Sequence, residues 1–442
     1  MKVSVIGGGL AGCEAALFLA NNGVEVDLYE MKPTEHSPAH KYDGLAELVC
    51  SNSLKAERTA SAAGMLKAEM AMLGSVVVKA GYANRVAAGG ALAVDREGFS
   101  DYITARIKNH PKINLIEKRV DKLPEGYVIA ATGPLTHDIL SKEYMALCGE
   151  NHLSFFDAAA PIVTLDSIDM EKVFFAARYG RGDDDYINCP MNKEEYEQFY
   201  QALVAGETVQ LKEFEHQSLK VYEGCMPVEV MAKRGEDTLR FGPLKPVGLR
   251  DPRTGHRPWA VVQLRKENAQ GSMYNLVGFQ TNLKFHEQKR IFSMIPGLEN
   301  AQFVRYGVMH RNTFLNSPKL LNSSFCMKSN PKIYFAGQIT GVEGYIESAA
   351  SGLLAAFNLL LVLRGKQPVL LPETTMMGAL SRYISDESIT DFQPMGCNMG
   401  LLPPLPERVR EKALRYELTA NRGLEDLKNK LSEFDDIIFS QE

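Results

Sequence analysis

Apolar residues run through KVSVI at the start of the chain, give way to three glycines, and recur at helical spacing through CEAALFLANN before a second apolar run, VEVDLYE. Strand, glycine turn, a helix starting near Cys13, a stop at Gly23 and a second strand predict a βαβ unit with a parallel strand pair. Helical periodicity follows over TASAAGMLKAEMAML (59–73) and over 97–109, closed by Pro111. A strand is expected near 113–117, and GYVIAATG (126–133) is apolar enough for a buried parallel strand ending in a glycine loop. From 151 to about 295 the pattern changes to isolated strands (APIVTLD, WAVVQLR, MYNLVGFQ), a hairpin across NAQGS, and helices near 193–204 and 285–294. The segment IYFAGQITGVEGYIESAASGLLAAFN (333–358) then restores the first pattern of strand, glycine loop and helix, and a charged helix ends the chain. The expected fold is α/β. It has a discontinuous Rossmann-like cofactor domain (1–150 and 296–370), an inserted α+β domain (151–295) for substrate, and a C-terminal segment (371–442) packing on the first.

The opening turn is a GxGxxG fingerprint in register with its strand and helix, and it ends at the acidic Glu30 eighteen residues after Gly12. Gly7 permits the tight turn, Gly9 lets backbone amides approach a pyrophosphate, and Gly12 lets the helix pack on its strand. Glu30 is placed to accept hydrogen bonds from a ribose. Gly8, Leu10, Ala11 and Lys32 belong to the same candidate site. Thr132 and Gly133 follow the strand at 126–133, and Gly337, Gln338, Gly341, Gly344 and Tyr345 follow the returning strand. A helix beginning there presents free amides and its positive dipole end to an anionic centre. A strand ending in ATG beside the first turn resembles flavoproteins with two dinucleotide-like motifs, which implies FAD rather than NAD.

Composition sets outer bounds. The chain has 442 residues, 45% hydrophobic and 23% charged, enough for two or three domains. Its seven cysteines include no CxxC pair or metal-ligand spacing, which points to a reducing cytoplasm. The longest apolar run, LLAAFNLLLVL from Leu353, is 11 residues; a bilayer needs roughly 20. A buried helix is therefore expected, with no membrane association. The net charge of −5 argues against nucleic acid, yet residues 233–266 carry nine Lys/Arg against three acids, and residues 301–332 carry five with no acid. Such stretches can hold a phosphate backbone, and Lys245, Arg250 and Arg253 of the 241–258 loop are the candidates for RNA contact. His310 and Arg311, in VMHRNTFLN, either face substrate or hold strand ends together. Asp183, Asp184 and Asp185 read as an exposed acidic loop, and no metal is expected.

Two thiols stand out by context: Cys50 in LAELVCSNSL and Cys225 in VYEGCMPVE. No basic neighbour lowers either pKa, and Glu223 and Glu229 would raise that of Cys225, so reactivity requires cations brought in by the fold, such as those of the 241–258 loop.

The motifs GGGLAG, VCSNSL, GALAVDREGFS, CMPVE, FGPLKPVGL, VVQLR, GFQTNLK, YGVMHRNT, AGQITGVEGYIESAASG and FQPM occur in this order over essentially the whole chain. Together they closely resemble the bacterial folate- and FAD-dependent tRNA (uracil-5-)-methyltransferases, part of the flavoproteins similar to glucose-inhibited division protein A. The resemblance implies that methylenetetrahydrofolate supplies a carbon and NADH or NADPH supplies electrons through the flavin, giving 5-methyluridine in the T-loop of tRNA. It assigns the thiolate that adds at uracil C6 to Cys225 and the base that removes the C5 proton to Cys50, although the sequence alone does not divide the two roles. C6 must be reached from above the ring, so the target base is expected to flip out of its stack. Two other readings stand beside this one: the same chemistry on a ribosomal RNA uridine, and a flavin-containing RNA-binding protein without essential methyl transfer. The second gives no reason for two placed thiols.

Overall fold

A computed structural model describes residues 2–37, 39–148, 152–158, 160–180, 185–209, 226–267, 271–307, 309–389 and 392–439, with the backbone alone for 148, 152–158 and 309–313. The first apolar run forms the strand Lys2–Ile6 near the middle of a six-stranded sheet, in the order 326–327, 330–335, 127–130, 2–6, 25–30, 113–117. Neighbours run parallel throughout except at the 326–327 edge. Val3, Val5, Leu28, Val128 and Ile129 are shut off from solvent, as helices on both faces of a parallel sheet require.

The helix Leu10–Asn21 begins three residues earlier than the Cys13 start expected from sequence, because the extended Gly9 already serves as its N-cap. Against it lies the helix Tyr345–Leu363. Their backbones touch at Gly352, where an added Cβ would stand 2.1 Å from the Ala11 carbonyl oxygen. This 19-residue helix is long and apolar enough by composition to cross a membrane, so the 11-residue run understated it; 83% of its most apolar window is buried inside the protein. Burial, not length, assigns it to the core.

A second sheet is antiparallel, in the order 174–175, 186–191, 260–266, 273–276, 162–164, 303–305. Its last strand, Phe303–Arg305, lies past residue 295. The helices Lys193–Ala205 and Phe285–Phe292 cover one face, where Tyr196, Phe199, Phe279 and Phe292 form a separate core. The strands His152–Ala158 and Met309–Leu315 pair antiparallel where the chain enters and leaves this unit.

A small sheet of 53–56, 91–94 and 85–86 is not announced by the sequence pattern; its strands have two to four residues, too short for an alternation to register. The C-terminal helix Lys412–Leu431 packs on the helix Ala62–Met72. Phe434 and Phe439 then close over Phe357 with edge-on ring contacts.

Candidate functional site

The carboxyl ends of the parallel strands open onto a cleft lined by Gly7, Gly9, Leu10, Ala11, Glu30, Thr132, Gly133, Gly337, Gln338 and Tyr345. Three chain segments that are remote in sequence thus meet in one groove, at the place where doubly wound sheets bind ligands. Gly7 has φ +102°, and an added Cβ would lie 2.5 Å from the Ala131 carbonyl oxygen; at Gly12 it would lie 1.8 Å from that of Gly7. At Gly9, by contrast, a Cβ would meet nothing within 4 Å, and no side chain caps the helix that starts there. An uncapped helix N-terminus facing open space fits a pyrophosphate. The buried Glu30 carboxylate accepts the amides of Gly8 at 2.7 Å and Lys32 at 3.0 Å, which orients it while each oxygen keeps further acceptor capacity. These features fit the FAD expected from sequence.

Gly8, Lys32, Gly341 and Gly344 do not line the cleft, and Gln338 does. Gly8 packs against Leu45 and Glu30, and the Lys32 ammonium is taken up by the carbonyls of Tyr42 at 3.0 Å and Gly44 at 2.6 Å, with Glu47 at 3.4 Å. Gly341 packs against Phe392, and Gly344 against Glu347 and Lys55. Gln338 donates to Glu343 at 2.7 Å. His40, Lys118, Arg119 and Ser348 also line the cleft, although the sequence marked none of them. Burial lowers the His40 pKa, which favours a neutral imidazole.

Cys50 stands beside this cleft, half-buried, on a loop whose backbone is clamped from three sides. The Tyr345 hydroxyl accepts the amides of Cys50 at 2.6 Å and Ser51 at 3.2 Å, while the ring of Tyr345 lines the cleft. Arg96 donates to the carbonyls of Leu48 and Cys50, the latter at 3.2 Å, and pairs with the buried Glu267; Arg305 donates to the carbonyl of Val49. Asn52 donates to Val94 at 3.0 Å and Lys266 at 2.8 Å and accepts from Arg265 at 3.1 Å. Both guanidiniums act electrostatically on the Cys50 thiol. Burial opposes the charge of Arg96, and Glu267 together with Tyr345 and Cys50 outweighs it, raising that pKa; burial and the neighbouring Arg96 lower that of Arg305. No carboxylate pairs with Arg305 among the described residues, so its charge is directed at the Cys50 loop. For Cys50, the cations that the fold brings to its loop are Arg96 and Arg305 rather than those of the 241–258 loop; for Cys225 the same expectation falls outside the described residues. The only sequence trace of this is Asp95, which caps the helix Arg96–Asn109 and so fixes Arg96 in its first turn.

Other candidates fall elsewhere. Cys225, Asp183 and Asp184 lie outside the described residues. The Asp185 carboxylate accepts the Gly89 amide at 2.5 Å, joining the two units. Among the described residues, no cluster of His, Cys, Asp and Glu suits a metal ion. His310 and Arg311 pair by backbone with Asp157 and Phe156. Arg250 is exposed, and Arg253 is engaged by Asp251 at 2.7 Å and by the Glu171 carbonyl at 2.8 Å. The carbonyl of Lys245 accepts from Arg178.

With this geometry in hand, the chain was compared with known proteins. A family model described as glucose inhibited division protein A matches residues 2–367. The chain is 58% identical over 433 residues to a methylenetetrahydrofolate–tRNA-(uracil-5-)-methyltransferase of Acetivibrio thermocellus, covering 98% of this chain and 99% of that protein. Identity to the protein of the same name from Heliobacterium modesticaldum is 56% over 434 residues, covering 98% of each. Among solved structures, GidA of Aquifex aeolicus superposes with a TM-score of 0.68 at 17% identity, covering 98% of this chain and 76% of that one. At that identity the likeness is one of fold.

Proposed function

Because this chain belongs to the glucose inhibited division protein A family, and within it to the methylenetetrahydrofolate–tRNA-(uracil-5-)-methyltransferases, we infer that it is a flavoprotein that methylates uridine at C5 in tRNA. The carbon donor is methylenetetrahydrofolate. We further propose the T-loop uridine as the target, NADH or NADPH as the reductant and the cytoplasm as the setting. The observation that carries the assignment of chemistry to this site is Tyr345, whose ring lines the cofactor cleft while its hydroxyl fixes the amide of Cys50.

The free amides at Gly9, Leu10 and Ala11 would hold the FAD pyrophosphate, and Glu30 would hold its ribose. Bound FAD supplies the redox half of the reaction, conveying electrons from the nicotinamide to the transferred carbon. The protein's own residues make the uracil reactive. C5 is a weak nucleophile, and a thiolate adding at C6, here assigned to Cys225, pushes electron density onto it. After the new bond forms at C5, the proton there must leave before the Cys225–C6 bond can break. Cys50 as a thiolate takes that proton, and the charges of Arg96 and Arg305 favour its ionised form. Tyr345, with burial pushing its phenol up, stays protonated and retains its hold on the Cys50 loop.

The test is incubation of FAD-loaded protein with methylenetetrahydrofolate, NADH or NADPH, and unmodified tRNA or ribosomal RNA, followed by nucleoside analysis. 5-Methyluridine is expected in tRNA. Cys225→Ala is expected to lower its formation by more than about a thousandfold. Methyl transfer retained by that variant overturns the role of Cys225, and methylation confined to ribosomal RNA overturns the substrate.

A further inference from the structure

The strand Ala260–Lys266 connects the Cys50 loop to a second hollow on the surface. Its residues alternate, with Ala260, Val262 and Leu264 in the core of the second unit and Val261, Gln263 and Arg265 on the opposite face. Along that face Arg265 holds Asn52, two residues from Cys50. Gln263 accepts from Arg178 at 2.8 Å and donates to Asn188 at 2.9 Å. Val261 packs with Leu249 and Phe174. From Arg265 to Val261 the strand covers ~13 Å.

At the far end the chain forms an open hollow lined by Tyr179, Gly180, Gly248, Arg250, His256 and Arg257, among others. Tyr179 is 57% exposed, with its amide bonded to the Gly248 carbonyl at 3.0 Å and its ring over Gly248. Arg178 fastens the loop beneath it through the carbonyls of Lys245 and Val247, the latter at 3.0 Å. Arg250 and Arg257 are exposed, and among the described residues no carboxylate pairs with either or lines the hollow. An aromatic face, two arginines and a histidine around an open cavity match what a nucleotide offers: a base that stacks and a phosphate that needs cations.

We propose that this hollow is an RNA subsite. It holds a nucleotide other than the target uridine, with the base on Tyr179 and the phosphate between Arg250 and Arg257, while the buried Gln263–Arg265 face ties the floor of the hollow to the Cys50 loop. The proposal rests on the reading that RNA is the substrate and that Cys50 marks the place of reaction.

The test uses FAD-loaded protein and a full-length unmodified tRNA transcript. The variants are Arg250→Ala with Arg257→Ala, Tyr179→Ala, and the conservative Tyr179→Phe. The double arginine variant is expected to raise Kd and KM for tRNA roughly tenfold and to lessen the slope of log affinity against log salt by about 1 to 2. Tyr179→Ala is expected to weaken binding by about tenfold with little change in salt slope, while Tyr179→Phe binds like the parent. Oxidation of NADPH in the absence of RNA and flavin content should be unchanged in all three, which shows that the variants fold. Unchanged tRNA affinity and salt slope in both Ala variants overturn the subsite. A raised KM for methylenetetrahydrofolate with unaltered RNA binding also overturns it and assigns the cations to the folate. If the parent protein binds tRNA through these residues yet forms no 5-methyluridine, the proposed activity falls and the subsite stands.

Discussion

Cys50 has no basic residue beside it in the sequence, yet two guanidiniums reach its loop, one from 46 residues away and one from beyond 250. A thiolate is favoured by adjacent positive charge, and Arg305, with no carboxylate partner among the described residues, has its charge directed there. Arg305→Ala is expected to slow alkylation of Cys50 at neutral pH several-fold and to shift its pH-rate midpoint upward, read by mass spectrometry of the Cys50 peptide. Arg305→Lys should recover much of the effect, and an unmoved midpoint would refute the electrostatic role. Lys32 illustrates the converse. It lies two residues from Glu30 and reads as a cofactor contact, but its ammonium is consumed by the carbonyls of Tyr42 and Gly44. A side chain's charge is legible in sequence; the groups that neutralise it are set by the loop that folds over it.

At the scale of elements, the glycine fingerprint was the most legible feature because each of its glycines answers a backbone constraint within a few residues. Gly12→Ala would place a methyl carbon 1.8 Å from the Gly7 carbonyl oxygen, and the contact is with backbone that cannot swing aside. The turn and the helix must separate, which costs about 1–3 kcal/mol and misaligns the amides at the helix start. Purified Gly12→Ala is therefore expected to lose flavin absorbance and to unfold at a lower temperature than the parent. Retention of a full complement of FAD would show that these amides do not hold it. The helices near 97–109 and 193–204 are read from periodicity and, for the first, Pro111, and the structure adds that Asp95 and Asn192 cap them through bonds to amides three residues on, a purely local signal. The small sheet at 53–56, 85–86 and 91–94 had no such signal, since 53–56 pairs with 91–94 across a helix pair and the local partner 85–86 has only two residues.

At the scale of the whole molecule, buried carboxylates tie distant segments together. Glu69, on the helix Ala62–Met72, accepts the amides of Met376 and Met377 at 2.7 and 2.8 Å and so fixes the start of the helix Met376–Tyr383. Burial pushes its pKa up to about 8 from 4.5, outweighing those two amide bonds. The folded state thus binds a proton that the unfolded chain releases. This contribution to stability is complete below about pH 4.5 and is lost as pH rises through about 8. Glu69→Gln is expected to flatten that decline between pH 5 and pH 9, measured as the denaturant midpoint against pH, and a parallel decline in both proteins would refute it. The sequence alone determined the α/β class, the first cofactor turn and its two returning loops, and it marked Cys50 and Cys225 as candidate thiols, because periodicity, glycine spacing and motif order all act over short stretches of chain. Only the tertiary structure decided which cations serve Cys50, that Tyr345 joins its loop to the cleft, and that the strand 260–266 leads from there to a second cationic hollow. Those contacts bridge segments tens to hundreds of residues apart, and they follow from how two separately cored units pack together, which no local pattern of side chains encodes.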